Sequence, residues 1–354
     1  MTTPRLQLVE KPTVNDIARV AGVSLATVDR VLNERPGVRS VTIQKVQKAI
    51  EELGYVRDTA AANLARRRVY NLLFVLPAQD GEFIAALEAQ IAQQATKLAA
   101  ERTQIAIATA APFDPQETVA ILDRLSPDET DGVAVFAPET PSVRDAVKRL
   151  RDKGIAVVAL VSDQPSSVRD HFVGIDNLAA GKTAAQLMGR FIRTPGEVLV
   201  LTGSRLARDH LERRQGFDLV MARDFPALNV TATAEGRDDP MLVGTILSRV
   251  LETHPDLQGI YASSASNAAL VHALRQVKRA RPLIVIAHEL TSVSRAALAD
   301  GTIDALITQD TGHLVRSAIR LLRATADSAP FNAGQERIRI DIYVKENLPP
   351  DTAG

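Results

Sequence analysis

The chain has 354 residues, a formal net charge of zero, 45% hydrophobic residues and only 4% aromatic residues. This length is enough for two or three domains, and their cores must be mainly aliphatic. The sequence contains no cysteine, which excludes disulfides and thiolate metal sites. It shows neither a signal-peptide pattern nor an apolar run long enough to span a membrane, so we expect a soluble cytoplasmic protein.

The zero net charge hides an asymmetry between the two parts of the chain. Residues 1–68 carry 12 Lys+Arg and 7 Asp+Glu, a net of +5, and the remainder carries 30 and 35, a net of −5. A basic amino-terminal module on an acidic body is the distribution expected when one end of a protein meets nucleic-acid phosphates.

The segment TVNDIARVAGVSLATVDRVLN, residues 13–33, predicts two short helices joined by a tight turn. Thr13 caps the first helix together with Asp16, Gly22 permits the turn, and Ser24 caps the second helix. This is the helix-turn-helix arrangement that reads DNA in the major groove. The alternative is a helical hairpin that only packs a core.

A third helix is predicted from Val41 to Leu53, with Ser40 as its cap and Gly54 ending it in the left-handed conformation. Tyr55 then packs against the small bundle. The apolar stripes of the three helices follow the helical period and consist of Val14, Ile17, Ala18, Ala21, Val28, Val31, Leu32, Val41, Val46, Ala49, Ile50 and Leu53.

This segment resembles the headpiece of the LacI/GalR family of transcription regulators. AGVSLATVDRVLN is similar to the family form AGVSxxTVSRVLN, and the resemblance continues without a gap through PGVRSVTIQKVQKAIEELGY. The resemblance implies a helix-turn-helix DNA-binding headpiece over 12–57, a hinge helix and linker over 58–68, and an effector-binding and dimerisation domain over 69–354.

The recognition helix is expected to present Leu25, Ala26 and Arg30 to the bases. Arg30 suits a bidentate contact with guanine, whereas Leu25 and Ala26 offer only apolar contact, for example with a thymine methyl. Asp29 replaces the family's serine. Its carboxylate repels phosphate, accepts from cytosine N4, or pairs with Arg30 or Arg19 away from DNA. The residues assigned to phosphate contacts, which set register rather than sequence, are Thr13, Ser24, Thr27, Asn33 and Thr42.

The stretch DTAAANLARRR, from Asp58 to Arg68, is the predicted hinge. A helix from Asp58 through Leu64 is too short to be stable alone in water, so it forms when a partner orders it. The resemblance implies that this partner is the minor groove of DNA, where Ala61 and Leu64 dock and Leu64 wedges between base pairs. The arginine run that ends the hinge either contacts phosphates or forms a solvated linker.

From Tyr70 onward, apolar strand-like runs alternate with helical patterns. This alternation predicts parallel sheets with right-handed crossovers, and the strands are too many for one small sheet. We therefore predict an α/β body of two doubly wound lobes, one over about 69–170 plus 290–325 and the other over about 173–288 plus 330–354. Ligands of such sheets bind at the carboxyl ends of the strands, here in the cleft between the lobes.

The body resembles the periplasmic sugar-binding fold that the same family carries, since HFVGIDNLAAGKTAAQLMGRFI is similar to its VGxDNxxAGxxAAxHL segment. Polar side chains that follow the strands, with an aromatic cover, suit a sugar or polyol. The effector-binding candidates are Gln79, Asp80, Phe83, Ser162, Asp163, Arg208, Arg213, Asn267, Glu289 and Gln309, and Arg205, Ser264 and Asp310 occupy similar positions. Arg213 and Gln309 match family effector residues. Glu289 replaces a common aspartate, and SSASN departs from the family's AxND segment, which points away from an ordinary hexose.

Three catalytic or metal-binding patterns are absent or incomplete. GKT at 181–183 would need glycine where Asp176 stands to form a phosphate loop, and His288-Glu289 would need histidine where Ser292 stands to form a zinc helix. No G-x-S-x-G elbow occurs. We therefore expect no enzyme activity, no catalytic residues, no bound metal and no cofactor.

Together these features predict a sequence-specific transcription regulator, in the first instance a repressor. It would act as a homodimer on a palindromic double-stranded DNA operator, under control of a small sugar-like effector bound between the lobes. A co-repressor would reverse the sign of the response. The alternatives are a solute-binding protein for a sugar or polyol without a regulatory role and, third, a sugar-processing enzyme. A transport protein would need a signal peptide and no headpiece, and no paired acid and base can be placed for an enzyme.

Overall fold

The computed structural model describes residues 12–32, 36–55, 68–78, 81–112, 114–231, 233–237, 239–264, 267–276 and 283–350. The chain divides into two compact units, Met1–Arg68 and Val69–Gly354. Within the described ranges, no helix combines the length and the apolar character needed to cross a bilayer.

The described part of the amino-terminal unit contains three helices, α1 (Val14–Ala21), α2 (Leu25–Leu32) and α3 (Ser40–Leu53). The turn between α1 and α2 contains Gly22 at φ 65°, a left-handed conformation that costs glycine little. The core of the unit is made by one or two residues from each helix, namely Ile17, Val28, Val46 and Ala49. The predicted helix-turn-helix headpiece is therefore confirmed.

Side chains fix the starts of α1 and α2 as predicted. The Asp16 carboxylate accepts hydrogen bonds from the Thr13 N–H at 2.9 Å and from the Thr13 hydroxyl at 2.8 Å. The Ser24 hydroxyl accepts from the Thr27 N–H at 3.2 Å. The Ser24 bond satisfies a donor that the first turn of a helix leaves without a partner, and the Asp16 bonds fix the chain at the N-cap of α1.

The start of α3 corrects two predictions. The helix begins at Ser40, and Arg39 holds the N-cap position without a side-chain hydrogen bond, so Ser40 is not the cap. Val41 is 62% exposed rather than buried. At 3.6 residues per turn, Val41 lies about 110° around the helix from the middle of the stripe that Val46 and Ala49 define. Gly54, at φ 58°, ends α3 as predicted.

The first lobe is built on a five-stranded parallel sheet with the strand order β2-β1-β3-β4-β5. Its elements are β1 (Tyr70–Pro77), α4 (Glu82–Leu98), a 3₁₀ turn (Ala99–Glu101), β2 (Thr103–Ala110), α5 (Pro115–Asp123), β3 (Gly132–Val135), α6 (Pro141–Asp152), β4 (Ala156–Leu160) and β5 (His171–Val173). Adjacent residues of β1, Phe74 and Val75, are both fully buried, as expected for a parallel sheet covered by helices on both faces.

The second lobe is built on a seven-stranded sheet in which the order β12-β11-β10-β9-β6-β7 is extended by β8 beside β6. Its elements are α7 (Asn177–Phe191), β6 (Gly196–Thr202), α8 (Arg208–Asp224), β7 (Leu228–Val230), β8 (Ala234–Glu235), α9 (Pro240–Thr253), β9 (Leu257–Ala262), α10 (Asn267–Gln276), β10 (Ile284–His288), α11 (Ser292–Asp300), β11 (Ala305–Thr308) and β12 (Asp341–Tyr343). Only β12 is antiparallel to its neighbour among these described strands.

The structure divides the segment 290–325, which the sequence assigns entirely to the first lobe. β11 pairs in the second sheet, and α11 packs against that sheet through Ala297 and Leu298. Only the following helix, α12 (Thr311–Ala326), packs on the first sheet, where Leu314 is fully buried. Strand–helix alternation gives the order of the elements but not the sheet that receives each strand, and the pattern did not reveal α12 or β12.

Candidate functional site

The predicted base-contacting residues lie on the solvent side of α2. Leu25 is 49% exposed, and Ala26 and Arg30 are exposed as well, whereas Val28 is buried in the core. Ala26 and Arg30 stand four residues apart, so they lie on the same side of the helix, one turn from each other. The headpiece therefore presents these side chains outward on its second helix.

The predicted phosphate-contacting residues lie near the helix starts. The Ser24 and Thr27 hydroxyls are 2.9 Å apart at the start of α2, Thr13 is bonded to Asp16 before α1, and Thr42 is half-buried in the first turn of α3. Three further predicted contact residues, Asn33, Ala61 and Leu64, lie outside the described residues, as does nearly all of the hinge.

Asp16 also binds the guanidinium of Arg19 at 2.7 Å, so Arg19 has a carboxylate partner other than Asp29. Hydrogen bonds from the backbone and hydroxyl of Thr13, followed by the bond from Arg19, lower the pKa of Asp16 to about 2. The first turn of α1 is therefore tied down by an ionised carboxylate at neutral pH.

A buried polar cluster occupies the carboxyl ends of the strands in the body. Its members follow different strands: Ser162 after β4, Asn177 at the start of α7, Asp209 and Arg213 on α8, Ser263 and Asn267 after β9, His288 and Glu289 at the end of β10, and Gln309 after β11. Each of these residues is at most 4% exposed. Polar side chains of the second lobe, with Ser162 of the first, thus converge where doubly wound sheets bind their ligands.

Arg213 is the centre of this cluster. Its Nε donates to Asn177 Oδ1 at 2.8 Å, and its Nη1 donates to the Ser263 carbonyl at 2.9 Å. Its Nη2 lies 3.6 Å from Glu289 Oε1. A buried cation is tolerated when it is paired and hydrogen-bonded in this way.

Glu289 is held in an unusual conformation beside Arg213. Its φ is 67°, a left-handed value that is costly for a residue with a side chain and that recurs at functional sites. Its backbone N–H donates to the Ile307 carbonyl at 2.9 Å, and its carboxylate accepts from Gln309 Nε2 at 3.0 Å. Burial raises the pKa of the Glu289 carboxyl, and the Arg213 guanidinium opposes that rise.

His288 of the cluster packs against the buried ring of Tyr261. The Tyr261 hydroxyl is 2.9 Å from His288 Nε2, and the Tyr261 ring stacks on Phe217 with centroids 4.6 Å apart. Burial holds the pKa of His288 well below its ordinary value, so the ring is neutral at physiological pH. Asn267 Nδ2 donates to the His288 carbonyl at 2.7 Å, which fixes the orientation of the amide.

Several buried polar atoms of this cluster have no hydrogen-bonding partner among the described residues. They are Asp209 Oδ1, Arg213 Nη2, Asn267 Oδ1, His288 Nδ1 and Gln309 Oε1. Burying a polar atom without a partner costs about 1–3 kcal/mol, so proteins rarely leave several together. A ligand that hydrogen-bonds these atoms would remove that cost, which makes the cluster a candidate binding site.

Two polar contacts join the lobes beside the cluster. Arg208 Nη1, on α8 of the second lobe, is 2.6 Å from Glu139 Oε2, which follows β3 of the first. On α4 of the first lobe, Glu82 accepts hydrogen bonds from the Ser292 hydroxyl and from the Val293 N–H at the start of α11. The two lobes are thus linked by side chains that a relative movement of the lobes must break.

Some predicted effector residues in the described part of the chain carry no unsatisfied buried polar atom. Phe83 is buried in the core of the first lobe, and Asp163 forms a two-bond ion pair with Arg169 at 2.5 and 2.7 Å. Arg205 binds Glu235, and Asp310 caps α12. Ser162 contacts Asp209 directly, since its hydroxyl accepts from the Asp209 N–H at 3.4 Å, and Ser264 is buried. Gln79 and Asp80 lie outside the described residues.

Sequence reasoning missed Asp209, Asn177 and His288. Asp209 stands four residues before Arg213, and this spacing places both on one side of a helix. Asn177 is the last residue of VGIDN, in a segment that the family resemblance already covered. His288 carried no signal of its own, because a histidine that ends a strand is as common in a core as in a site.

Two glycines bring α8 close enough to α7 to place Arg213. A Cβ at Gly181 of α7 would lie 1.9 Å from the Arg213 carbonyl oxygen, and a Cβ at Gly216 of α8 would lie 2.1 Å from the Leu178 carbonyl oxygen. Only glycine allows backbone to approach backbone at these distances. The GKT stretch that resembles a phosphate loop thus supplies a packing glycine instead.

Comparison with known proteins assigns both units. The model of the periplasmic binding protein domain matches residues 72–330, and the model of bacterial regulatory proteins of the lacI family matches residues 13–58. The transcriptional regulator CelR of Thermobifida fusca is 26% identical over 296 residues, which cover 81% of this chain and 84% of CelR. The regulator DegA of Bacillus subtilis is 28% identical over 178 residues, 50% of this chain and 51% of DegA, so that match spans about half the length of DegA.

Two solved structures match about four fifths of this chain. A solute-binding protein of an ABC transporter from Burkholderia graminis, in complex with D-arabinose, superposes with a TM-score of 0.70 and 25% identity over 78% of this chain and 96% of that one. GanP, a glucose-galactose binding protein from Geobacillus stearothermophilus, gives a TM-score of 0.71 at 20% identity over 80% and 99%.

A DNA-binding headpiece on a two-lobed, periplasmic-binding-protein body defines a transcription regulator that carries a ligand-binding fold. The chain belongs to the LacI/GalR family, with a body of the periplasmic-binding-protein family. The alternative of a solute-binding protein without a regulatory role is not favoured, because such a protein has no use for the headpiece.

Proposed function

We propose that this chain is a repressor that binds a palindromic operator as a homodimer and releases it when a sugar-like effector fills the cleft. The observation that carries the proposal is the group of unsatisfied buried atoms around Arg213, in a chain that also has a DNA-binding headpiece. The D-arabinose bound by the Burkholderia graminis protein supports a sugar or polyol as the effector class. A DNA partner supports a cytoplasmic location.

The proposed mechanism couples the cleft to the DNA through movement of the lobes. An effector held by the unsatisfied atoms of the second lobe that also contacts the first lobe favours one arrangement of the two. The contact between Arg208 and Glu139 joins the lobes in the arrangement that the structure shows. A change in that arrangement moves the points where the two hinges of a dimer leave the bodies. The coupling is a free energy shared between two sites, so each ligand weakens the other by the same factor.

An effector-controlled repressor needs only to bind its effector and its DNA. The curated relatives are transcription regulators rather than enzymes, and we propose that this chain likewise catalyses no reaction. In the described part of the chain, no group of three or more His, Asp or Glu residues has the geometry to hold a metal ion.

Selection of binding sites from a random DNA duplex pool tests the DNA-binding half of the proposal. The full chain is expected to enrich a palindrome, and Arg30→Ala is expected to weaken binding by about 1–3 kcal/mol per half-site while relaxing the preference at one base pair. Lys48→Ala removes one exposed headpiece charge from α3 and is the matched control. It should leave the sequence preference unchanged.

A full chain that enriches no duplex, with or without added metabolites, would contradict the proposed regulator. If the Arg30→Ala variant enriched the same half-site as the unmodified chain, Arg30 would not recognise a base. The proposal that the chain is a regulator would be unaffected. A non-palindromic site would contradict the symmetric homodimer.

A further inference from the structure

We propose that the effector of this cleft is an uncharged molecule rich in hydroxyl groups, and that the cleft rejects sugar acids and sugar phosphates. The proposal rests on the proposed function, because it names the chemical class that the same site accepts. Three features carry it: the pairing of the cationic side chains, the excess of carboxyl groups and the kind of atoms left without partners.

The three guanidinium groups at the cleft already have carboxylate partners. Arg208 contacts Glu139 at 2.6 Å and Glu212 at 2.8 Å, and Arg169 is held by Asp163. Arg213 is bound on two sides and lies 3.6 Å from Glu289 on the third. Recognition of a carboxylate or a phosphate uses a guanidinium that turns two parallel donors toward the ligand, and these guanidiniums use such donors within the protein.

Carboxyl groups outnumber the guanidinium groups among the described residues of the cleft. Five of them, Asp163, Asp209, Glu139, Glu212 and Glu289, stand against Arg169, Arg208 and Arg213. Asp209 is almost fully buried, and its Oδ1 has no hydrogen-bonding partner in the described part of the chain. A ligand anion would bring a second negative charge next to this carboxylate, in a site where little water screens the repulsion.

The unsatisfied atoms favour a ligand that donates hydrogen bonds. Asn267 Nδ2 and Gln309 Nε2 are used as donors to the protein, so the oxygen of each amide faces the ligand as an acceptor. Asp209 Oδ1 is a third acceptor, and Arg213 Nη2 is a donor. Hydroxyl groups both donate and accept, whereas a carboxylate or a phosphate dianion only accepts. A hydroxyl group can therefore satisfy any of these four atoms, whereas the charged group of a sugar acid or a sugar phosphate can satisfy only Arg213 Nη2.

The first experiment separates a pool of polar metabolites by charge and measures the thermal midpoint of the full chain with each fraction. One fraction is retained on an anion exchanger, one on a cation exchanger, and one on neither. Since a ligand that binds the folded chain stabilises it increasingly as its concentration exceeds the Kd, the unretained fraction is expected to raise the midpoint. Stabilisation by either retained fraction alone would overturn the proposal. This includes stabilisation by an amino sugar, which the cation exchanger retains.

The outcomes also separate this proposal from the proposed function. A retained anion that both stabilises the chain and releases the selected operator leaves the regulator intact and defeats only the inference about charge. Failure of every fraction to stabilise the chain or to release the operator counts against the effector cleft itself, and the inference falls with it.

A second experiment uses charge-matched compounds and a variant. For the aldose or polyol that binds most tightly, affinity is compared with that of its aldonic acid and its phosphate monoester, and each anion is expected to bind at least about 100-fold more weakly. In Asp209→Asn, which keeps the shape and removes the charge, this ratio is expected to fall by about tenfold. An equal loss of affinity for all three compounds would show that Asp209 is only structural. Asp224→Asn, at the far end of α8, is the control and should leave the ratio unchanged.

Discussion

Arg213→Lys is expected to abolish the effector response and to lower the free energy of unfolding by about 2–4 kcal/mol. Lysine keeps the charge but has one compact ammonium group, so it cannot bond Asn177 Oδ1 and the Ser263 carbonyl and still reach Glu289. Each buried acceptor left without its donor costs about 1–3 kcal/mol. Denaturant unfolding measures the stability, and release of the operator by added effector measures the response.

The neighbouring arginine provides the matched control for this prediction. Arg214 lies on the same helix, and its Nε is 2.7 Å from Asp218 Oδ2 at a partly exposed position. Arg214→Lys is expected to change the free energy of unfolding by less than about 1 kcal/mol and to retain the effector response, since partly exposed pairs contribute little. If Arg213→Lys behaved like Arg214→Lys, the cluster around Arg213 would not be the effector site.

Gly216→Ala is expected to destabilise the body by about 3 kcal/mol or more. Its new Cβ would meet the Leu178 carbonyl oxygen at 2.1 Å, and Gly181→Ala would bring a Cβ to 1.9 Å from the Arg213 carbonyl oxygen. Both obstacles are backbone atoms, which no side-chain rotation can move, so α7 and α8 must separate. The shift of α8 would carry Arg213 away from Glu289 and weaken effector binding in any molecules that still fold.

A third glycine separates this packing effect from general helix propensity. Gly244 lies inside α9, and a Cβ added there would have open space around it, with no heavy atom of the described residues within 4 Å. Gly244→Ala is expected to stabilise the chain by about 0.5–1 kcal/mol, because alanine favours the helix and no atom opposes it. Denaturation midpoints with unchanged slopes compare the three variants. If Gly216→Ala and Gly244→Ala shifted the denaturation midpoint in the same direction and by the same amount, that result would contradict the proposed close packing of α7 and α8.

The headpiece shows how far local chemistry predicts structure. Thr13, Asp16, Gly22 and Ser24 specify two helix starts and a turn within a few residues, and the structure has them all. The prediction that Val41 is buried is wrong, because Val41 lies in the first turn of α3 on a side of the helix that does not face the core. Such an error arises at helix ends, because the helical period of the apolar residues is then counted from an uncertain first residue of the helix.

The body shows which part of a fold lies beyond a local pattern. Runs of buried residues revealed the strands, but membership of a sheet depends on long-range pairing. β11 therefore lies in the second sheet, beside β10, while the helix after it returns to the first. α12 went unrecognised although its buried face follows the helical period, because the series of strands ended before it.

The cluster combines residues that sequence reasoning found with others that it could not find. Arg213, Glu289 and Gln309 were predicted as effector residues, and they lie together in the structure. The close approach that places Arg213 depends on Gly181, more than thirty residues earlier, whose sequence context resembles a phosphate loop. A glycine that admits a distant backbone has no signature in the local sequence, so its role appears only when two helices are seen together.

Calorimetric titration of the full chain with its effector, in the absence and presence of a saturating selected operator duplex, tests the central claim most directly. Linkage predicts that operator lowers the effector affinity by the same factor by which effector lowers the operator affinity, typically about 5–150-fold. A co-repressor would give equal factors in the opposite direction. Identical effector affinity with and without operator would contradict the account, because the cleft and the headpiece would then share one chain without being coupled.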